Sequence, residues 1–300
     1  MTSEEQGDQA PFGVPPNQEG APTAQAPSSG TPADPALAGA TPPLSSVAVE
    51  PPCRLWRGRD LAFFLAILCS GLVVCQLVMI LGYVLLRPFI GWHASVGALT
   101  QNTLFLVGVQ MVCYAFVLAC VYVLVVAHYR QPFWRGLEWR SLTVGQIARY
   151  VAGGLVLAVA VQFLPALLPD KNDFPLQKLF NSPAADYALA ILSVFIAPFM
   201  EEVIFRGVLY AFFEQLAGFR FAVVGTAVLF AALHIGEYWG AWGRVLAILA
   251  VGLVLSLARR ATGSLAPSVV VHMAYNAALM AAFFFATHHF RTLPALLPHS

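Results

Sequence analysis

Two adjacent glutamates, Glu201 and Glu202, stand in Ala-Pro-Phe-Met-Glu-Glu-Val-Ile-Phe-Arg-Gly (197–207), a stretch that otherwise reads as membrane-buried helix. Each charge at a bilayer centre costs about 2.5–3.5 kcal/mol on insertion scales, so two acids with an arginine one turn on need a reason to be there. Glu202 and Arg206 are i, i+4 on one helix face, in the favourable order for an intrahelical pair. A structural ion pair that neutralises both groups in lipid accounts for these two. Glu201 lies about 100° round the helix and lacks that partner. Burial suits such a carboxylate to general-base work near neutral pH.

Two further clusters survive inside apolar segments. Phe230 and His234 are four residues apart in Phe-Ala-Ala-Leu-His, and His272 and Asn276 are four apart in His-Met-Ala-Tyr-Asn. Taken singly, His234 reads as a hydrogen-bonded core residue, and His272 with Asn276 as interhelical hydrogen-bond glue. Depth relates them. At about 1.5 Å per residue, Glu201, His234, His272 and Asn276 all fall near one mid-membrane layer. A site assembled from three helices predicts that agreement.

Such a set can hydrolyse an amide. Glu201 would take a proton from water, His234 would position and polarise that water, and His272 and Asn276 would donate hydrogen bonds to the oxyanion. One oxyanion donor is worth about 2.7–4 kcal/mol. No membrane-buried Ser or Cys has a base paired with it in sequence, which favours an activated water over a covalent intermediate. The reading needs no cofactor. Glu201, His234 and His272 could instead bind zinc, since two histidines and a glutamate form a catalytic ligand set, although the chain has no His-Glu-x-x-His helix.

The elements that must position these residues are membrane helices. The 300 residues are 59% hydrophobic and 10% charged, with a mean hydropathy of +0.72, whereas soluble domains carry about 25% charged residues. Apolar runs fall at 61–86, 103–128, 147–168, 186–216, 221–240, 244–258 and 265–287. They predict an all-α polytopic membrane protein of seven or eight transmembrane helices, the eighth hidden, if present, in 170–185. Residues 1–52 hold Glu4, Glu5, Asp8, Glu19, Asp34 and Glu50, no Lys or Arg, and mostly Pro, Ala, Gly, Ser and Gln. That composition predicts a disordered tail. The remainder divides into N-terminal helices (53–180), a catalytic membrane core (181–287) and a short tail (288–300). The five cysteines show no C-x-x-C pair and no metal-type spacing. Arg54, Arg57, Arg59, Arg130, Arg135, Arg140, Arg220, Arg259 and Arg260 flank the spans on one side, against Arg87, Lys171, Lys178, Arg244 and Arg291 on the other. This bias predicts a cytoplasmic N-terminus, most simply in the plasma (inner) membrane.

Glu-Glu-Val-Ile-Phe-Arg (201–206), Phe-Ala-Ala-Leu-His (230–234) and His-Met-Ala-Tyr-Asn (272–276) together resemble the three signature motifs of the CPBP intramembrane proteases. That family comprises the type II CAAX prenyl proteases and the bacteriocin-processing or Abi proteins. Ala197-Pro198, Arg206-Gly207 and Gly-Ser-Leu-Ala-Pro (263–267) are similar to family usage, and the resemblance covers roughly 180–285. It implies a helical core with Glu201 as catalytic base, His234 as its water-activating partner, and His272 and Asn276 as the oxyanion site. Glu202, Arg206 and Phe230 would support them. It implies a glutamate-type endopeptidase, of a kind often labelled metalloprotease, acting on a membrane-associated protein or peptide and not on nucleic acid. A non-proteolytic scaffold or immunity protein of the same fold, and a transporter with a carboxylate–histidine relay, are the competing readings.

Overall fold

The computed structural model describes residues 57–91, 93, 95–165, 168 and 179–291. The acidic tail at 1–52, the polar connection at 170–178 and the last nine residues lie outside them. Among the described residues ten α-helices follow in order: α1 (Gly58–Ile90), α2 (Val96–Leu99), α3 (Thr103–Tyr122), α4 (Phe133–Gly136), α5 (Val144–Val161), α6 (Pro183–Ile191), α7 (Ala197–Glu202), α8 (Tyr210–Leu233), α9 (Trp242–Thr262) and α10 (Leu265–Ala286). Three π-helical stretches, Val123–His128, Leu192–Ile196 and Val203–Leu209, continue α3 and join α6 to α7 and α7 to α8. No strand occurs among the described residues, and the fold is all-α.

Local chemistry sets the ends of the helices that matter for the site. Thr143 and Gln146 form a reciprocal capping box at the start of α5. The Ser264 hydroxyl accepts the Ala266 N–H at the start of α10. Between α9 and α10 the chain turns at Gly263, whose φ of 58° is one that glycine adopts without steric cost.

Among the described residues, six helical runs are long and apolar enough to cross a membrane. On α1, Phe63, Val74, Leu77, Leu81 and Leu85 face outward and are more than half exposed. A row of that extent is foreign to soluble monomers and suits lipid. One of the six runs, Pro183–Leu233, is 51 residues long and covers the fourth and fifth predicted spans. It breaks at Ala217 (φ −141°, ψ 15°) and Gly218 (φ 82°, ψ 173°). Beyond the break the chain folds back: Tyr210 packs with Ala222 and Val223, and the Phe213 and Phe221 rings lie 5.2 Å apart. In a straight helix residues 210 and 223 would be about 20 Å apart. The run is therefore bent into two legs. The second leg ends at Leu233 and not near 240, because Gly236 and Gly240 (φ 87°) interrupt it and turns lead to α9. No eighth span lies in the described part of 170–185, where α6 begins at Pro183.

The arginine-bearing ends meet. Tyr129 Oη accepts the Arg57 N–H, the Arg260 guanidinium lies 4.8 Å from the Phe219 ring centroid, and the Leu265 N–H donates to the Glu138 carbonyl at 3.1 Å. Inside the bundle α9 runs along the second leg of α8, and α5 runs along α10. Small residues allow both approaches: a Cβ on Gly252 would lie 3.1 Å from Ala227 Cα, and one on Gly154 would lie 2.5 Å from the Val271 carbonyl oxygen.

Candidate active site

The two glutamates occupy α7, six residues of α-helix between two π-helical stretches. Each π stretch shifts the backbone ladder by one residue, which leaves a carbonyl without its usual donor. Upstream, the Ala197 N–H goes to Leu192. The Ser193 carbonyl thus loses its α-helical donor, and its π-helical donor would be residue 198, a proline with no N–H. Asn276 Nδ2 fills the gap, donating to Ser193 O at 2.8 Å. Downstream, the Tyr210 N–H goes to Phe205, which deprives the Arg206 carbonyl. Arg259 Nε donates to it at 3.2 Å. The segment carrying the carboxylates is thus tied at its two ends to α10 and α9.

Glu202 is fully buried, and its Oε1 accepts two hydrogen bonds, from Arg206 Nη1 at 2.8 Å and from His272 Nδ1 at 3.0 Å. Its Oε2 has no partner among the described residues. Arg206, equally buried, also donates from Nη2 to the Gly252 carbonyl at 2.8 Å and from Nε to Ser256 Oγ at 3.4 Å. Its guanidinium lies 4.9 Å from the Phe230 ring centroid. The predicted Glu202–Arg206 pair is therefore present and built into a wider buried network. Glu201 is not solitary as its helical position suggested. The Nε2 of His272 stands 3.7 Å from its Oε2, and its side chain is 22% exposed where that of Glu202 is sealed.

Phe230 links the two histidines, its ring centroid lying 4.7 Å from that of His234 and 5.8 Å from that of His272. His234 caps the end of α8 rather than sitting inside a span. Its Nδ1 lies 2.7 Å from the Phe230 carbonyl, which can only accept, so Nδ1 carries the proton and Nε2 keeps a lone pair. The structure thus brings Glu201, Glu202, Arg206, Phe230, His234 and His272 into one connected cluster. Asn276 lies one turn along α10 from His272, with one amide N–H committed to Ser193. For the zinc alternative, no group of three His, Cys, Asp or Glu side chains among the described residues is placed to hold a metal ion. In the cysteine set, Cys75 and Cys113 are buried free thiols.

Sequence reasoning passed over Arg259, reading it as a flanking cation. It is 3% exposed. No local spacing marks it, because its partners, the Arg206 carbonyl and the Glu138 carboxylate, come from distant parts of the chain.

Fold and site together define a polytopic helical membrane protein with a carboxylate–imidazole cluster buried between three of its helices. Residues 183–278 match the family model described as type II CAAX prenyl endopeptidase Rce1-like, and over that region the resemblance carried by the three motifs is borne out. No curated protein and no solved structure matches the chain.

Proposed function

We propose that this protein is an intramembrane endopeptidase that hydrolyses a peptide bond of a membrane-associated protein or peptide, with Glu201 as the base. The observation that carries this reading is the division between the two carboxylates. Arg206 and His272 both bind Glu202 Oε1 and hold it as a buried anchor, while Glu201 keeps an accessible face beside His272. A base must reach water, and Glu201 is the carboxylate that can.

Glu201 takes a proton from a water whose other hydrogen is accepted by Nε2 of His234. The oxygen attacks the scissile carbonyl, and the negative charge moves to its oxygen. Asn276 donates its second amide N–H to that oxygen, and His272 donates from Nε2 when doubly protonated. Glu201 then returns the proton to the amine as the C–N bond breaks, leaving an acid and a free amine. The chemistry requires no metal. A prenylated C-terminal CAAX peptide, the substrate class in the matched family's description, is the first to try, beside unprenylated membrane-proximal peptides. The arginine-rich end faces the cytoplasm in this reading, in the plasma (inner) membrane.

Purified protein in detergent, assayed on both peptide classes with and without chelator, tests the proposal. Glu201→Ala is expected to abolish cleavage while remaining folded and membrane-inserted. Cleavage that persists in Glu201→Ala overturns the mechanism, and cleavage lost to chelator and restored by zinc favours the metal-dependent version.

A further inference from the structure

We propose that Arg259, held by Glu138, is a positioning residue that fixes the register of the carboxylate-bearing segment; its catalytic consequence rests on the hydrolase reading above. The geometry begins at the orphaned Arg206 carbonyl. Arg206 is the residue whose side chain grips Glu202, and its carbonyl is the one left over where the π-helical stretch returns to α-helix. Arg259 Nε binds that carbonyl at 3.2 Å, and the same guanidinium, through Nη2, forms an ion pair with Glu138 Oε2. One planar fork therefore joins the backbone under the site to a residue between α3 and α5.

That connection is built to stay in place. Glu138 adopts φ 53°, a left-handed conformation that a non-glycine residue holds only when its surroundings over-determine it. The Leu265 N–H donates to its carbonyl at 3.1 Å. The neighbouring Arg140 N–H donates to Ser264 Oγ at 3.1 Å. Leu137, 1% exposed, packs on Gly207, where an added Cβ would lie 3.1 Å from Leu137 Cδ2. Trp139 lies edge-on to Phe199 at 6.3 Å, two residues before Glu201. The connection over 129–143 lies outside the matched region 183–278, yet it braces the segment that carries both glutamates. Asn276 performs the same carbonyl-capping task at the upstream end, so Arg259 is its downstream counterpart.

Lysine and arginine separate a mere charge from this fork. Arg259→Lys keeps a cation for Glu138 but cannot direct two fixed N–H groups at once. Hydrogen exchange of the full chain in detergent is expected to quicken over 197–211 in this variant and to stay unchanged over α1. For substrate cleavage, kcat is expected to fall about tenfold, in line with the sensitivity of catalysis to small misplacements, with KM unchanged. Glu138→Gln, at the partly exposed end and therefore safe for folding, should show the same pattern at about a third of the size. Exchange over 197–211 that matches wild type in both variants overturns the inference. Quickened exchange with unchanged kcat overturns its catalytic consequence. A wild-type protein that cleaves neither peptide class overturns the hydrolase reading alone, because exchange still decides the positioning role.

Discussion

Helix α1 and the Pro183–Leu233 run are both long and apolar, and they are used in opposite ways. Over their most apolar stretches 18% of α1 is buried against 50% of the run. Helix α1 spends its surface on lipid and is fastened by polar groups near its start, where Tyr129 Oη donates to the Asp60 carboxylate and accepts the Arg57 N–H. The run spends its surface on protein. Its core face, Met200, Val203, Ile204, Phe205, Val208 and Leu209, is sealed against α3, Leu137 and α10, and its backbone is tied at two points by side chains from other helices. Hydropathy measures tolerance of lipid equally in both. What marks the Pro183–Leu233 run is charge that lipid cannot hold, placed where neighbouring helices can.

The sharpest way to break this comparison is to remove function from one region and leave the other alone. Glu201→Gln should lower cleavage by about 10²–10⁴-fold, the range of a lost general base, while Leu77→Ala on the lipid face of α1 should leave it unchanged. Steady-state kinetics on the same peptide decides, and equal losses would dissolve the distinction. Next in size is the buried pair. Arg206→Leu strands Glu202 without its cation and should cost about 3–5 kcal/mol, read from thermal or denaturant unfolding in detergent. Adding Glu202→Leu to it should recover much of that loss, because the double variant no longer buries a lone charge.

The difference between the regions was partly legible beforehand. The helical spans and the Glu202–Arg206 pair follow from apolar length and from i, i+4 geometry, both properties of local order along the chain; the mid-span depth assigned to His234 does not hold, because it caps the end of α8. What stayed hidden depends on backbone register and on long-range approach. The spacing of Glu201 from Arg206 gave it no partner, because its neighbour His272 arrives from 71 residues away. Asn276 shows its amide in the sequence but not its attachment to Ser193, which follows from a π-helical shift ahead of Pro198. Arg259 looked like any arginine at a span end. Only the orphaned Arg206 carbonyl and the left-handed Glu138 give it a task.

Two glycines give a smaller contrast. At Gly154 an added methyl group would sit 2.5 Å from the Val271 carbonyl and 2.7 Å from Ala274 Cβ, pushing α5 off the helix that carries His272; at Gly82 on α1 it would meet nothing within 4 Å. Gly154→Ala should cost about 1–3 kcal/mol, as overpacking does, and reduce cleavage by displacing His272. Gly82→Ala should be neutral or stabilise by about 0.5–1 kcal/mol through lower backbone entropy. The unfolding midpoint should therefore fall in Gly154→Ala and hold or rise in Gly82→Ala, and a comparable fall in both would mean that α1 packs as tightly as the core.

The smallest expected effect concerns the fastening of α1. Burial, and then the Asp60 carboxylate it binds, push the Tyr129 hydroxyl up to about 12. A phenol whose folded value exceeds its ordinary value of about 10 favours folding in its protonated form. Its contribution is complete below about pH 10 and is lost as the pH rises through about 12. Above that the phenolate faces Asp60 with like charge and cannot donate. Wild type should therefore unfold at a higher temperature than Tyr129→Phe at neutral pH, and the gap should close between about pH 10 and 12. Because both proteins carry every other titrating group, the difference reports on the Tyr129 hydroxyl. A gap that persists at pH 12 would show that the hydroxyl's contribution does not depend on its proton, and a gap absent at neutral pH would show that this hydroxyl does not hold α1. The contrast with the doubly tied Glu201 segment would then be complete.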